Sequence, residues 1–289
     1  MDADVLVLIG PIITKYFLKT LSETIKEYCN RNKKYIMLGI GMMHYSENDL
    51  MEIKKFLNAY PPLFMSSRDN LTYETFCNII PNIYNGLDLA FFVPEAYKPI
   101  KSVSKYIVSN FDKITEPNIY ETKENSKDAI SITDEENIKV VLPRFFSRIG
   151  LKTDRISDIF VYLGAVLPKS KRQDKVYNYS IIRPDHRFWP MFVKKVYRYN
   201  NSYCSEIPEG YFNIYANSSL TVTDRIHACI LTLAYGNKAM FFAKTARSGL
   251  LDRVGAEEIY HKPVQLSLEK LNKEKENMIA ELKSFLKNI

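Results

Sequence analysis

The chain has 289 residues, 46% of them hydrophobic and 25% charged, the balance of a folded chain that fills one large domain or two ordinary ones. Forty Lys and Arg against 33 Asp and Glu give a net charge of +7 and an isoelectric point near 9.0, which admits anionic partners without naming one. No run approaches the roughly 18–20 apolar residues of a membrane helix. The acidic start, Met1-Asp2-Ala3-Asp4, lacks the basic opening of a secretory signal. Cys29, Cys77, Cys204 and Cys229 form no close pair, and histidine occurs only at 44, 186, 227 and 261, so neither a disulfide framework nor a multi-histidine metal centre is expected. The expectation is a cytoplasmic protein with reduced cysteines.

In chain order, the apolar run Asp4 to Ile9, ended by Gly10-Pro11, predicts a fully buried parallel strand. Helix-spaced apolar positions follow over 13–31, and then a strand at 35–41 whose Gly39-Ile40-Gly41 reads as a tight strand-to-loop turn. Ser46 caps the next helix, Pro61-Pro62 stops it, and a short strand, Leu63 to Ser66, leads to a short helix over 70–79. Residues 82–84 and Leu89 to Val93 read as further strands. The segment 113–137 is polar and acidic, a linker or insertion between residues 1–112 and 138–289. Beyond it come strands at 140–142, 179–182, 220–223 and 239–242. Helices are expected near 154–166, 188–199 and 224–235, and an amphipathic helix over 266–289. Alternating strands and helices predict an α/β architecture of two halves with a cleft between them.

Ligands of open α/β sheets bind at the carboxyl ends of the strands, and three loops there carry charge. The first is Met65 to Asn70: Arg68 projects over the strand ends and Asp69 or Asn70 caps the helix, or else Arg68 is a surface residue paired with Asp69. The second is Thr221 to Ile230, where a strand runs into a helix whose first turn holds Asp224, Arg225 and His227. Free N–H groups and the helix dipole favour an anion there, and His227 adds a titratable donor. The plainer reading makes Asp224 an N-cap and His227 a packed histidine. The third is Ala243 to Gly249, with Lys244 and Arg247 at a loop-to-helix junction, positioned to converge with the second loop on one phosphate or carboxylate. The glycine spacing at 39–41 lacks the rest of a dinucleotide motif, and the many aromatic residues follow core patterns rather than base-stacking ones.

These loops resemble the polysaccharide pyruvyl transferase family. Residues 219–255 carry the strongest likeness, with Thr223-Asp224-Arg225-Ile226-His227-Ala228, Leu233-Ala234-Tyr235-Gly236, Lys244, and Leu250 to Gly255. Ser66-Ser67-Arg68-Asp69 and Gly86-Leu87-Asp88-Leu89-Ala90-Phe91 add to it. The resemblance implies two Rossmann-like halves of the GT-B type. It also implies transfer of pyruvate from phosphoenolpyruvate onto two hydroxyls of a glycan or lipid-linked sugar, as a ketal, with no metal and no organic cofactor. It assigns Arg68, His227 and Lys244 to phosphoenolpyruvate across the cleft. Of these, His227 is the residue type suited to proton transfer near neutrality, so it is expected as the proton donor or as the acid that protonates the departing phosphate. Arg225, Arg247, Asp224 and Asp69 are expected in accessory binding, unless Arg225 is instead a structural partner of Asp224. The sequence opens at what reads as a later strand of the family, with Gly10-Pro11 in place of its glycine-rich loop. Two alternatives stand beside this reading: a GT-B glycosyltransferase using a nucleotide sugar, and a non-catalytic glycan-binding member.

The surplus charge is local. Lys169 to Arg198 holds nine cations against two acids, so the remainder of the chain is balanced. A nucleic-acid groove is not expected; the stretch suits attraction of an anionic donor, docking at the inner membrane face, or a solvated surface.

Overall fold

A computed structural model describes residues 3–43, 46–112, 114, 116–121, 129–133, 138–141, 173–186, 199 and 201–287. The chain divides into two compact units: Met1–Val93 with Lys244–Glu257 and Leu266–Ile289, and Pro94–Ala243 with Glu258–Gln265. This division differs from the boundaries expected at 112 and 138. The chain returns to the first unit twice, because its last helix finds its apolar partners there.

The first unit is a parallel sheet in the order Val5–Ile9, Lys34–Met42, Phe64–Ser67, Ile83–Asn85, with Ile12–Ile13 paired to the end of Lys34–Met42. Each main strand is followed by its neighbour in sequence, and the helices Lys15–Asn30, Glu47–Ala59 and Asn70–Phe76 make the connections. Thr14, Ser46 and Asp69 start these helices by accepting from the N–H groups of Phe17, Asp49 and Thr72. Ile25, Met37, Ile53, Leu57 and Met65 form the buried layer between helices and sheet. The helix Leu268–Lys287 completes the unit: the Phe285 ring lies 5.1 Å from that of Phe64, and Leu87 N–H donates to Met278 Sδ at 3.4 Å.

Several expectations are corrected here. Val5–Ile9 is an edge strand buried on one side only, so Val5, Val7 and Ile9 are exposed while Leu6 and Leu8 pack inward. Gly39-Ile40-Gly41 lies inside a strand rather than in a turn; Gly39 takes φ +64 where the register shifts between Met37 and Ile40. Leu89–Phe92 is a 3₁₀ turn leading into the short helix Val93–Ala96, because the Asp88 carboxylate caps Ala90 N–H. The final helix buries Leu271, Lys275 and Met278 but leaves Leu268, Ile279 and Leu286 exposed, a narrower apolar face than its spacing implied.

The second unit has the strand order Lys175–Val176, Tyr179–Pro184, Tyr106–Asn110, Leu220–Thr223, Lys238–Phe241. The last four are mutually parallel and Lys175–Val176 is antiparallel at the edge. Tyr106–Asn110, central in this sheet, and the helix Pro208–Ala216 have no counterpart among the expected elements. Within and after the segment 113–137, Asn118–Glu121, Ile138–Val141 and Ala129–Thr133 form a small antiparallel sheet, not a bare linker. The expected helix at 154–166, and the one expected at 188–199 save for Tyr199, lie outside the described residues, as does most of the basic stretch. Arg183, counted in that stretch, is buried: Nε donates to both Glu116 carboxylate oxygens at 2.9 and 3.1 Å, and Nη1 lies 3.4 Å from Asp174. It serves the core of this unit, not a solvated surface.

Candidate active site

In the first unit, Phe64–Ser67 carries Arg68 at its carboxyl end, and burial brings the side chain to 2% exposure. Its partner is Asp88, with Nη1 donating to Oδ2 at 3.0 Å; it is neither a surface residue nor paired with Asp69. Asp69 is committed to the helix cap, accepting from Thr72 N–H at 2.7 Å. Burial pushes its pKa up, against the opposing pull of the Thr72 hydrogen bonds and the Arg68 charge. Nε and Nη2 of Arg68 are buried without a hydrogen-bond partner among the described residues. Gly41 makes room for this guanidinium: a Cβ there would lie 2.6 Å from Nη2 and 2.7 Å from Cζ. Gly41→Ala is therefore expected to cost about 1–3 kcal/mol by overpacking, measured by urea unfolding. A variant as stable as the wild type would show that the guanidinium shifts without penalty.

Lys244 and Arg247 belong to this same unit. Thr245 and Ser248 form a capping box that starts the turn Ala246–Ser248, leaving Lys244 exposed and Arg247 half-buried. The turn lies beside Asp69, since a Cβ on Gly249 would be 3.6 Å from Asp69 Cβ. The third charged loop thus sits with the first, where the sequence placed it with the second. Asp252 also lies there, its pKa raised by burial and by Glu257, with the Lys244 charge opposing.

In the second unit, Leu220–Thr223 leads into the helix Ile226–Ala234, so Asp224 and Arg225 precede the helix and only His227 lies in its first turn. Asp224 is not its N-cap. The carboxylate reaches back to the neighbouring strand end, accepting from Asp112 N–H at 3.0–3.1 Å and Ile114 N–H at 3.0 Å. Arg225, half-exposed, forms an ion pair with buried Asp112. Every residue of the helix is buried except His227, which is exposed. A packed core histidine would show the opposite pattern.

The same strand ends carry residues the sequence reading missed. Asn110 ends Tyr106–Asn110, and Asp185 and His186 follow Tyr179–Pro184. Tyr215, fully buried on Pro208–Ala216, joins them: Asn110 Nδ2 donates to its hydroxyl at 2.9 Å, and His186 Nε2 lies 2.6 Å from it. His186 stands just past an expected strand, so the carboxyl-end rule applied there would have found it. Asn110 and Asp112 were hidden because their strand was not seen.

Fold and site together define a two-unit α/β protein that presents arginine and histidine at the carboxyl ends of parallel strands, equipment suited to a small anionic ligand. The chain belongs to the polysaccharide pyruvyl transferase family, whose family model matches residues 3–243. No curated protein sequence matches it. Among solved structures it is similar to a crystal structure assigned as a UDP-N-acetylglucosamine 2-epimerase from Listeria monocytogenes, with 11% identity and a TM-score of 0.49 over 98% of this chain and 67% of that one.

Proposed function

We propose that this transferase moves pyruvate from phosphoenolpyruvate onto a sugar of a cell-surface glycan precursor, as a ketal. Carbon 2 of the enol gains bonds to two sugar oxygens and loses its bond to phosphate. One hydroxyl proton goes to carbon 3, which becomes a methyl group, and the other leaves with phosphate. The balance calls for anion binding and proton transfer, and we assign it neither a metal nor an organic cofactor.

The observation that carries this reading is Arg68. A buried guanidinium with two unsatisfied nitrogens is a costly arrangement in a protein at rest. Nε and Nη2 are the side-on fork that grips a carboxylate or phosphate in two parallel hydrogen bonds. In the first unit Lys244 and Arg247 would add charge toward the donor; in the second, Arg225 would hold an anionic group. His227 would deliver the proton, being exposed and a histidine, the side-chain type suited to proton transfer near neutrality. Asp69 and Asp224 are then positioning residues, since both spend their carboxylates on backbone N–H groups.

No helix among the described residues is long and apolar enough to cross a membrane. A lipid-linked acceptor would be met at the inner membrane face, with the basic stretch drawing the protein to anionic headgroups.

The test is phosphate release from phosphoenolpyruvate with and without sugar acceptors, including lipid-linked ones, and mass analysis of the product for a pyruvate ketal. Acceptor-dependent release supports the reading. Transfer from a nucleotide sugar without use of phosphoenolpyruvate would replace it with glycosyl transfer, and glycan binding without turnover of either donor would leave a binding protein.

A further inference from the structure

His186 and His227 occupy the same edge of the second unit's sheet. Their strands are separated by Tyr106–Asn110, so their backbones are roughly two strand spacings, about 10 Å, apart. That is too far for both to grip one small anion at the same point, yet a continuous set of hydrogen bonds runs from His186 to the backbone just before the His227 helix.

Its path can be followed atom by atom. Tyr211 and Tyr215 stand one turn apart on Pro208–Ala216 and so share a face of that helix. His186 packs on both, with ring centroids 4.1 Å from Tyr211 and 5.8 Å from Tyr215. Tyr215 accepts from the Asn110 amide at one lone pair, and when His186 Nε2 is unprotonated that nitrogen is the acceptor for the single Tyr215 hydrogen. Burial pushes the Tyr215 pKa up, which keeps it a phenol and a donor. The Asn110 carbonyl in turn accepts from Asp224 N–H at 3.1 Å and from Thr223 Oγ1 at 2.9 Å. Thr223 Oγ1 accepts from Arg225 N–H at 2.9 Å, and the Asp224 carboxylate holds Asp112, the ion-pair partner of Arg225. The backbone that aims Arg225 and starts the His227 helix is thereby tied, through Asn110 and Tyr215, to one ring nitrogen of His186.

We propose that His186 is a positioning residue for the anion-binding turn, acting through Tyr215 and Asn110 to fix the directions of Arg225 and His227. The proposal rests on the donor-binding reading above and adds to it a residue that does not touch the donor. The ring with Nε2 unprotonated is its working form, because a proton there would take from the fully buried Tyr215 hydrogen the acceptor that His186 supplies. A glutamine can supply an acceptor oxygen in place of Nε2; an alanine cannot.

The experiment compares His186→Ala, His186→Gln and Tyr215→Phe with the wild type. Calorimetric binding of phosphoenolpyruvate and, separately, of inorganic phosphate is measured beside kcat and KM in the release assay. His186→Ala and Tyr215→Phe should weaken both ligands and raise the donor KM about tenfold, with His186→Gln recovering most of the loss. Unchanged binding in His186→Ala, or a glutamine no better than the alanine, overturns the proposal, the second by pointing to ring packing alone. Wild type that binds phosphate but not phosphoenolpyruvate sinks the donor reading while the phosphate arm still judges His186. Wild type that binds neither sinks both.

Discussion

His227→Ala is expected to lower kcat for acceptor-dependent phosphate release by about 100- to 10,000-fold, the usual contribution of a positioned acid or base. The thermal unfolding midpoint should scarcely move, because an exposed side chain on a buried helix contributes little packing, roughly within 0.5 kcal/mol. That separation of effects is the informative part. Its neighbours Ile226 and Ala228 are buried, and mutations there would lose activity by loosening the helix. Steady-state kinetics and a melting curve on the same preparation decide the matter. A variant that keeps more than about a tenth of wild-type kcat would remove His227 from proton transfer. One that melts far lower would make it a structural residue despite its exposure.

Asp88→Ala is expected to destabilise the protein by about 3–5 kcal/mol, because it leaves the buried Arg68 charge without its ion-pair partner. The side chains of the pair are only 3% and 6% exposed, so solvent cannot take over the lost partner as it does at a surface bridge. Asp88 also caps the turn Leu89–Phe92 through Ala90 N–H, which adds a smaller loss of about 1 kcal/mol. Removing both charges, as Arg68→Met with Asp88→Asn, should cost less than removing Asp88 alone, since no uncompensated ion is left behind. Urea unfolding of the two variants gives the comparison. If Asp88→Ala costs under about 1 kcal/mol, Arg68 must escape to solvent, and the pair does not fix its position. Addition of phosphoenolpyruvate should restore part of the lost stability, by mass action, if the ligand takes over as counter-charge.

The parts of the fold legible in the sequence were those set by short-range pattern. The helix caps at Ser46 and Asp69 and the strand-to-helix passages at Arg68 and Asp224 follow from adjacent residues, and the structure places each at the carboxyl end of a strand. Long-range choices were not legible. Asp88 sits 20 residues from Arg68 and Asp112 is 113 from Arg225, so nothing in either loop announces its partner. Tyr106–Asn110 escaped notice because Ser109 and Asn110 break its apolar run. Both are buried polar residues, and Asn110 spends its amide on Tyr215 and its carbonyl on Thr223 and Asp224. Gly41 was misread for a related reason. Its missing side chain serves a guanidinium from the adjacent strand, a requirement invisible to any turn rule.

The last helix carries a consequence for the order of folding. Leu268–Lys287 supplies Phe285 and Met278 to a unit whose sheet is made of residues 5–85. A ribosome emits that sheet well before the helix, with the whole second unit synthesised in between. The unit with the earlier strands therefore closes after the second unit is made, and Phe64 waits uncovered through the making of about 180 residues, an interval of roughly 10–40 seconds at ordinary bacterial or eukaryotic elongation rates. A nascent chain stalled before residue 266 should draw on chaperones at this face, and release of the final helix should end that dependence.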